Sequence, residues 1–98
     1  MDEGGRGDQL VEMVVAIQNR LGLHARAAAL FVRTASAFSS EVTIEKDGVE
    51  VNGKSIMGLM MLAAAKGSHV RIRASGPDQE EAVKAIARLV ADRFHEEV

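Results

Sequence analysis

The chain has 98 residues, with twelve basic and fourteen acidic side chains and a formal net charge of −2, so it lacks the basic footprint that binds nucleic acid. It has no cysteine, which excludes disulfide frameworks, cysteine-based zinc sites and thiol chemistry. Hydrophobic residues make up 47% of it but its only aromatics are three Phe, so the expectation is one small domain cored by Val, Ile, Leu, Met and Ala.

Residues 1–9 are acidic and Gly-rich and read as a disordered tail, leaving 10–98 as the folded domain. That tail has no apolar centre to serve as a secretory signal, and no apolar run reaches membrane-spanning length; a cytoplasmic protein is expected. From Val11 the pattern alternates, with Val11, Met13, Val15 and Ile17 on one side, as in a strand with one face in a core. Asn19, Arg20 and Gly22 break the strand into a loop. His24 follows, and Ala25 to about Ala37 forms a first amphipathic helix with Ala28, Phe31, Val32 and Ala35 at helical spacing.

Ser39-Ser40 closes that helix. Glu41 to Lys46 alternates as a second strand with Val42 and Ile44 inward; Asp47-Gly48 is a hairpin turn and Val49-Glu50-Val51 the return strand. After Asn52-Gly53, Ser55 can cap a short helix from Ile56 to about Ala63. His69 to Ala74 is a fourth strand, Val70, Ile72 and Ala74 inward, with Arg71 and Arg73 on a solvated face. Pro77-Asp78 starts a last helix, Gln79 to about Phe94, whose stripe is Ala82, Val83, Ile86, Leu89 and Val90. The order β-α-β-β-α-β-α predicts an α+β domain, an antiparallel sheet with helices stacked on one face.

Chemistry concentrates at Leu21 to Ala28. Taken alone, His24-x-Arg26 reads more readily as a loop histidine that caps a helix and does nothing else. The other reading uses the free N–H groups and positive dipole of the first turn. There His24 accepts a phosphoryl group, the backbone of Ala25, Arg26 and Ala27 holds it, and Arg26 offsets its charge. The short helix Ile56-Met57-Gly58-Leu59-Met60-Met61-Leu62 is too apolar for one core-facing stripe. Leu59 and Leu62 are expected inside. Ile56, Met57, Met60 and Met61, with Leu23 and Ala27, then form an adaptable apolar surface for partners. His69 and His95 share no ligand spacing with His24, so no metal is expected, and nothing calls for a cofactor.

Leu23-His24-Ala25-Arg26 before a small-residue helix, then Lys54-Ser55-Ile56-Met57-Gly58, then Ala65-Lys66-Gly67, resemble HPr, the histidine-containing phosphocarrier family of the phosphotransferase system. The same element order runs from about Met13 to Phe94. The resemblance implies an open-faced β-sandwich, a four-stranded antiparallel sheet with three helices on one face, acting as a monomer. It implies that His24 accepts phosphate at Nδ1 from Enzyme I, which takes it from phosphoenolpyruvate, and delivers it to IIA-type domains. Such a chain is a carrier, the substrate of two transfers, and not an enzyme.

In the family Ser55 corresponds to a serine phosphorylated by HPr kinase/phosphorylase; on physical grounds alone it is a helix cap. The family usually has proline where this chain has Ala27, which restores an N–H and favours helix. Two other readings stand beside the sugar-linked carrier. One is a nitrogen-type regulatory phosphocarrier, and the other a non-catalytic module that binds a kinase or transcription factor.

Overall fold

The computed structural model of the chain describes residues 9–96. The tail expected over 1–9 therefore lies outside the described residues, except for Gln9. The elements, in order, are β1 (Val11–Ala16), α1 (Ala25–Ser36), β2 (Glu41–Lys46), β3 (Val49–Asn52), α2 (Ile56–Met61), β4 (His69–Ser75) and α3 (Gln79–Ala91). The strands form one antiparallel sheet in the order β1-β4-β2-β3. Helix α3 lies over β1 and β4, α2 meets β3, and α1 packs between α2 and α3.

Register explains the core. Met13, Ile72, Ile44 and Val51 stand in one row across all four strands, and Val11, Ala74 and Val42 in the next. Because strand side chains alternate faces, these rows share the helix-covered side. Ile44, Ile72 and Val70 are buried there against Phe31, Ile86 and Val90. Ala27, Ala28 and Ala35 are also fully buried on α1, where their short side chains let the helix lie close to its neighbours. Asp47 and Gly48 both take positive φ (52° and 86°), as a two-residue hairpin turn requires.

On the uncovered face Arg71 and Arg73 are half-buried rather than freely solvated. Arg73 reaches Glu12 at 2.9 Å and Glu50 at 3.2 Å, while Arg71 reaches Glu45 at 3.3 Å. Opposite charges on neighbouring strands offset one another across the ladder.

Several expectations need correction. Met13 has core parity but is 40% exposed, because β1 is an edge strand with a neighbour on one side only. Val32 is only partly buried, and Ala27 takes its place in the stripe of α1. Helix α2 stops at Met61, two residues early; Leu62 turns it off and Ala63 takes φ 51°. Helix α3 stops at Ala91, and Arg93, Phe94 and His95 follow with positive φ of 56°, 53° and 66°. That left-handed turn buries Phe94 and brings Glu96 back towards α1.

Candidate functional site

The loop that presents His24 is fixed at both ends. Ile17 exchanges backbone hydrogen bonds with the 67–68 segment, its N–H to Ser68 O and its carbonyl to Gly67 N, each 2.8 Å. Leu23 N–H then donates to Ala64 O at 2.9 Å, joining the loop to the segment that leaves α2. Between these ties Gly22 takes φ +70°, a conformation glycine adopts without strain. Its N–H donates to Asn19 O at 3.1 Å and its carbonyl accepts from His24 N–H at 2.9 Å.

His24 is the N-cap of α1, with extended backbone (φ −77°, ψ −179°) and its carbonyl accepting from Ala28 N–H at 2.8 Å. Its ring also caps: Nδ1 accepts from Arg26 N–H at 3.2 Å. An imidazole nitrogen that accepts carries no proton, so the neutral ring holds its proton on Nε2. Nε2 lies 2.5 Å from Glu96 Oε2 and donates to it. The His24 side chain is 27% exposed, so solvent or a partner reaches the ring.

Glu96 also accepts from Asn19 Nδ2, at 3.3 and 3.4 Å to its two oxygens. Its pKa is lowered. The His24 hydrogen bond is the main cause; partial burial opposes it, and the Asn19 bond and the charges of His24 and Arg26 add to it. Asn19 is wholly buried, and the same Nδ2 donates to Gly22 O at 2.6 Å. Arg26 is exposed on the first turn, and no carboxylate among the described residues forms an ion pair with its guanidinium.

The other candidates divide. Ser55 is the N-cap of α2, and its Oγ accepts from Gly58 N–H at 3.1 Å. Ile56, Met57, Met60 and Met61 are exposed, the second and fourth at 76%. Leu23 and Ala27 are buried, at 5% and 0%, so neither side chain can be part of an outer surface. The exposed apolar side chain of that loop is Leu21, at 67%. Ala27 still contributes its first-turn N–H, which precedes any intrahelical acceptor. Among the described residues no cluster of three or more His, Asp or Glu could hold a metal.

Sequence reasoning missed Glu96 and Asn19. Asn19 read only as a loop former, and nothing local ties Glu96 to a histidine 72 positions earlier.

The family described as PTS HPr component phosphorylation site matches residues 11–92. The chain is 49% identical over 87 residues to the phosphocarrier protein HPr of Neisseria meningitidis serogroup A, covering 89% of this chain and 98% of that one. The chain belongs to the HPr family. Among solved HPr structures, HPr-C-His from Thermoanaerobacter tengcongensis superposes with a TM-score of 0.87 at 51% identity, over 90% of this chain and 99% of that one. An HPr dimer from the same organism gives 0.72 at 52% identity, over 84% and 94%. HPr proteins are phosphocarriers of the phosphotransferase system, not enzymes, and the open-faced sandwich expected of the family is the fold observed. No helix among the described residues is long and apolar enough to cross a membrane.

Proposed function

We propose that this chain takes a phosphoryl group from Enzyme I onto Nδ1 of His24 and delivers it to IIA-type domains, working as a cytoplasmic monomer with its carrier domain spanning 10–98. The observation that carries the reading is the division of labour on one imidazole. Nε2 is bound to a carboxylate, and the lone pair of Nδ1 faces the Arg26 N–H at the first turn of α1.

The chemistry follows from that arrangement. The Nδ1 lone pair attacks phosphorus on the donor's phosphohistidine; the Nδ1–P bond forms as the donor's N–P bond breaks. The ring becomes a phosphoimidazolium whose Nε2–H remains on Glu96, and the carboxylate stabilises that positive charge as a buried carboxylate does for a catalytic imidazolium. On delivery a histidine nitrogen of the acceptor domain bonds to phosphorus as the Nδ1–P bond breaks, and the electron pair returns to Nδ1. The neutral Nε2–H ring is restored, and no proton has entered or left.

The incoming group brings about two negative charges. The N–H of Arg26, now on Nδ1, is released to it, with those of Ala25 and Ala27 beside it and the exposed Arg26 side chain on the same first turn. Such transfer asks mainly for position and charge compensation, and these groups supply both. Ile56, Met57, Met60 and Met61 are the docking surface, with Leu21 in place of Leu23 and Ala27.

Ser55 is the second acceptor in this reading, phosphorylated by an HPr kinase/phosphorylase using ATP. It is partly exposed, and its hydroxyl already serves the Gly58 N–H, so modification would replace the cap.

The test is labelling with purified Enzyme I and radioactive phosphoenolpyruvate. Acid-labile, base-stable label is expected on the wild type, and none on His24→Ala. Equal labelling of that variant would end the assignment.

A further inference from the structure

Asn19 is fully buried, yet its Oδ1 has no hydrogen-bond partner among the described residues. Buried polar atoms are nearly always paired, so an orphan marks a constraint that overrides local satisfaction. The constraint is visible at the other end of the same amide. Nδ2 has two N–H groups, and two acceptors face it: Gly22 O at 2.6 Å and the Glu96 carboxylate at 3.3 and 3.4 Å. Turning the amide over would set Oδ1 against both acceptors, so the orphan is the consequence of the only orientation that serves them.

Both acceptors lead to His24. Gly22 O also accepts from His24 N–H, which fixes the backbone that carries the ring. Glu96 holds Nε2, which fixes where the ring proton sits. Glu96 arrives on a left-handed turn beyond the end of α3, and among the described residues only Asn19 and His24, both from the loop, make side-chain hydrogen bonds to its carboxylate.

We propose that Asn19 is a positioning residue for phosphoryl transfer, its buried amide clamping Glu96 to the His24 loop so that Nε2 keeps the proton and Nδ1 stays unprotonated at the first turn of α1. The inference rests on His24 as the phospho-acceptor and adds the residue that holds its hydrogen-bond partner. The Asn19 bond is also one of the causes of the lowered Glu96 pKa, as a clamp on the ionised carboxylate requires.

The test uses the full chain with Asn19→Leu, which keeps the side chain's shape but removes both donors and the orphan together. Two quantities are read: the downfield Nε2–H proton signal of His24, and kcat and KM for phosphorylation by Enzyme I and phosphoenolpyruvate. The expected result is loss of the Nε2–H signal, as in Glu96→Gln, and a kcat lower by about ten-fold with KM little changed, the scale of one charge-assisted hydrogen bond. Asn19→Leu added to Glu96→Gln should lower kcat no further.

A purely packing role would leave the signal and kcat intact, or would multiply with Glu96→Gln; either result overturns the clamp. Should Asn19→Leu fail to fold, Asn19→Asp gives the same readings, since its carboxylate repels Glu96 in place of holding it. The underlying carrier reading fails separately, by absence of label on wild-type His24, whatever the Nε2–H signal does.

Discussion

The α-carbon of Gly22 lies so close to Ala64 that a Cβ built on it would stand 2.6 Å from the Ala64 carbonyl oxygen. The same oxygen accepts the Leu23 N–H, so the segment leaving α2 and the loop presenting His24 are joined backbone to backbone. Side chains can yield to a small intrusion, but a carbonyl that holds a hydrogen bond cannot move without releasing it.

Gly22→Ala therefore meets two penalties, a positive φ of 70° and a backbone clash. A loss of roughly 2–3 kcal/mol is expected. In a chain of this size that is a fall in Tm on the order of 10 °C, measurable by calorimetry. Phosphorylation of the folded fraction should also slow, because the displaced loop carries His24. Unchanged Tm would show that the loop relaxes freely.

Glu96→Gln isolates the contribution of the carboxylate. The folded-state pKa of Glu96 is depressed, so its contribution to stability is complete above the ordinary glutamate range and is lost as pH falls through the lowered value. A plot of Tm against pH should accordingly fall less steeply for Glu96→Gln than for the wild type below about pH 4.5. Above that range the variant should be the less stable of the two, since the carboxylate's bonds to His24 and Asn19 are weakened to those of a neutral amide. Parallel curves would mean that Glu96 is equally paired in the unfolded chain.

Much of this fold was legible because period and burial coincide in it. Val42 and Ile44, and Val70, Ile72 and Ala74, alternate in the sequence and are buried in the structure. The place of His24 and Arg26 at the start of α1 was legible because a histidine at a helix start is a local pattern. Glu96 was not, because its value depends on a left-handed turn through Arg93, Phe94 and His95, where no glycine announces a positive φ. Asn19 was half legible: its type fits a loop, but the buried bonds that use it join residues 77 positions apart. Leu21 and Leu23 exchanged roles for a similar reason. Two leucines flanking a glycine look alike in sequence, and only the direction of the chain after Gly22 sends one outward and the other into the core.

Asp78 is the N-cap of α3, yet its side chain makes no capping bond to that helix. It accepts instead from Ser39 N–H and Ser40 N–H, each 2.9 Å, and from Ser40 Oγ–H at 2.6 Å. These bonds, with the Ser40 side-chain bond the largest influence, hold its pKa below the usual aspartate value. Ser40→Ala and Asp78→Ala should each lower Tm by several degrees at neutral pH, and the deficit should shrink as pH falls through the lowered value and the wild type loses the same bonds. The knot sits at the start of α3 and Glu96 beyond its end, about 20 Å away along a 13-residue helix. Labelling of His24 in the folded variants should therefore match the wild type; a loss would show that the knot reaches the site.

The proposed docking surface is tested most sharply by charge. A six-residue helix cannot bury two faces; Leu59 alone within α2 is buried, while Met57 and Met61 are 76% exposed. Contact with a partner would desolvate these side chains, and a carboxylate placed among them would be buried unpaired. Met57→Glu should thus weaken binding to both Enzyme I and IIA-type domains by about ten-fold or more, measured by titration calorimetry. Its Tm should stay within a few degrees of wild type, since an exposed position contributes little to folding. Leu21→Glu should behave alike if the surface continues onto the His24 loop. Val14→Glu is the control: Val14 is also exposed and apolar but stands on the open face of the sheet, in the row of Arg71 and Glu45. Were Val14→Glu to weaken binding as much as Met57→Glu, partners would be recognising general apolarity and not α2.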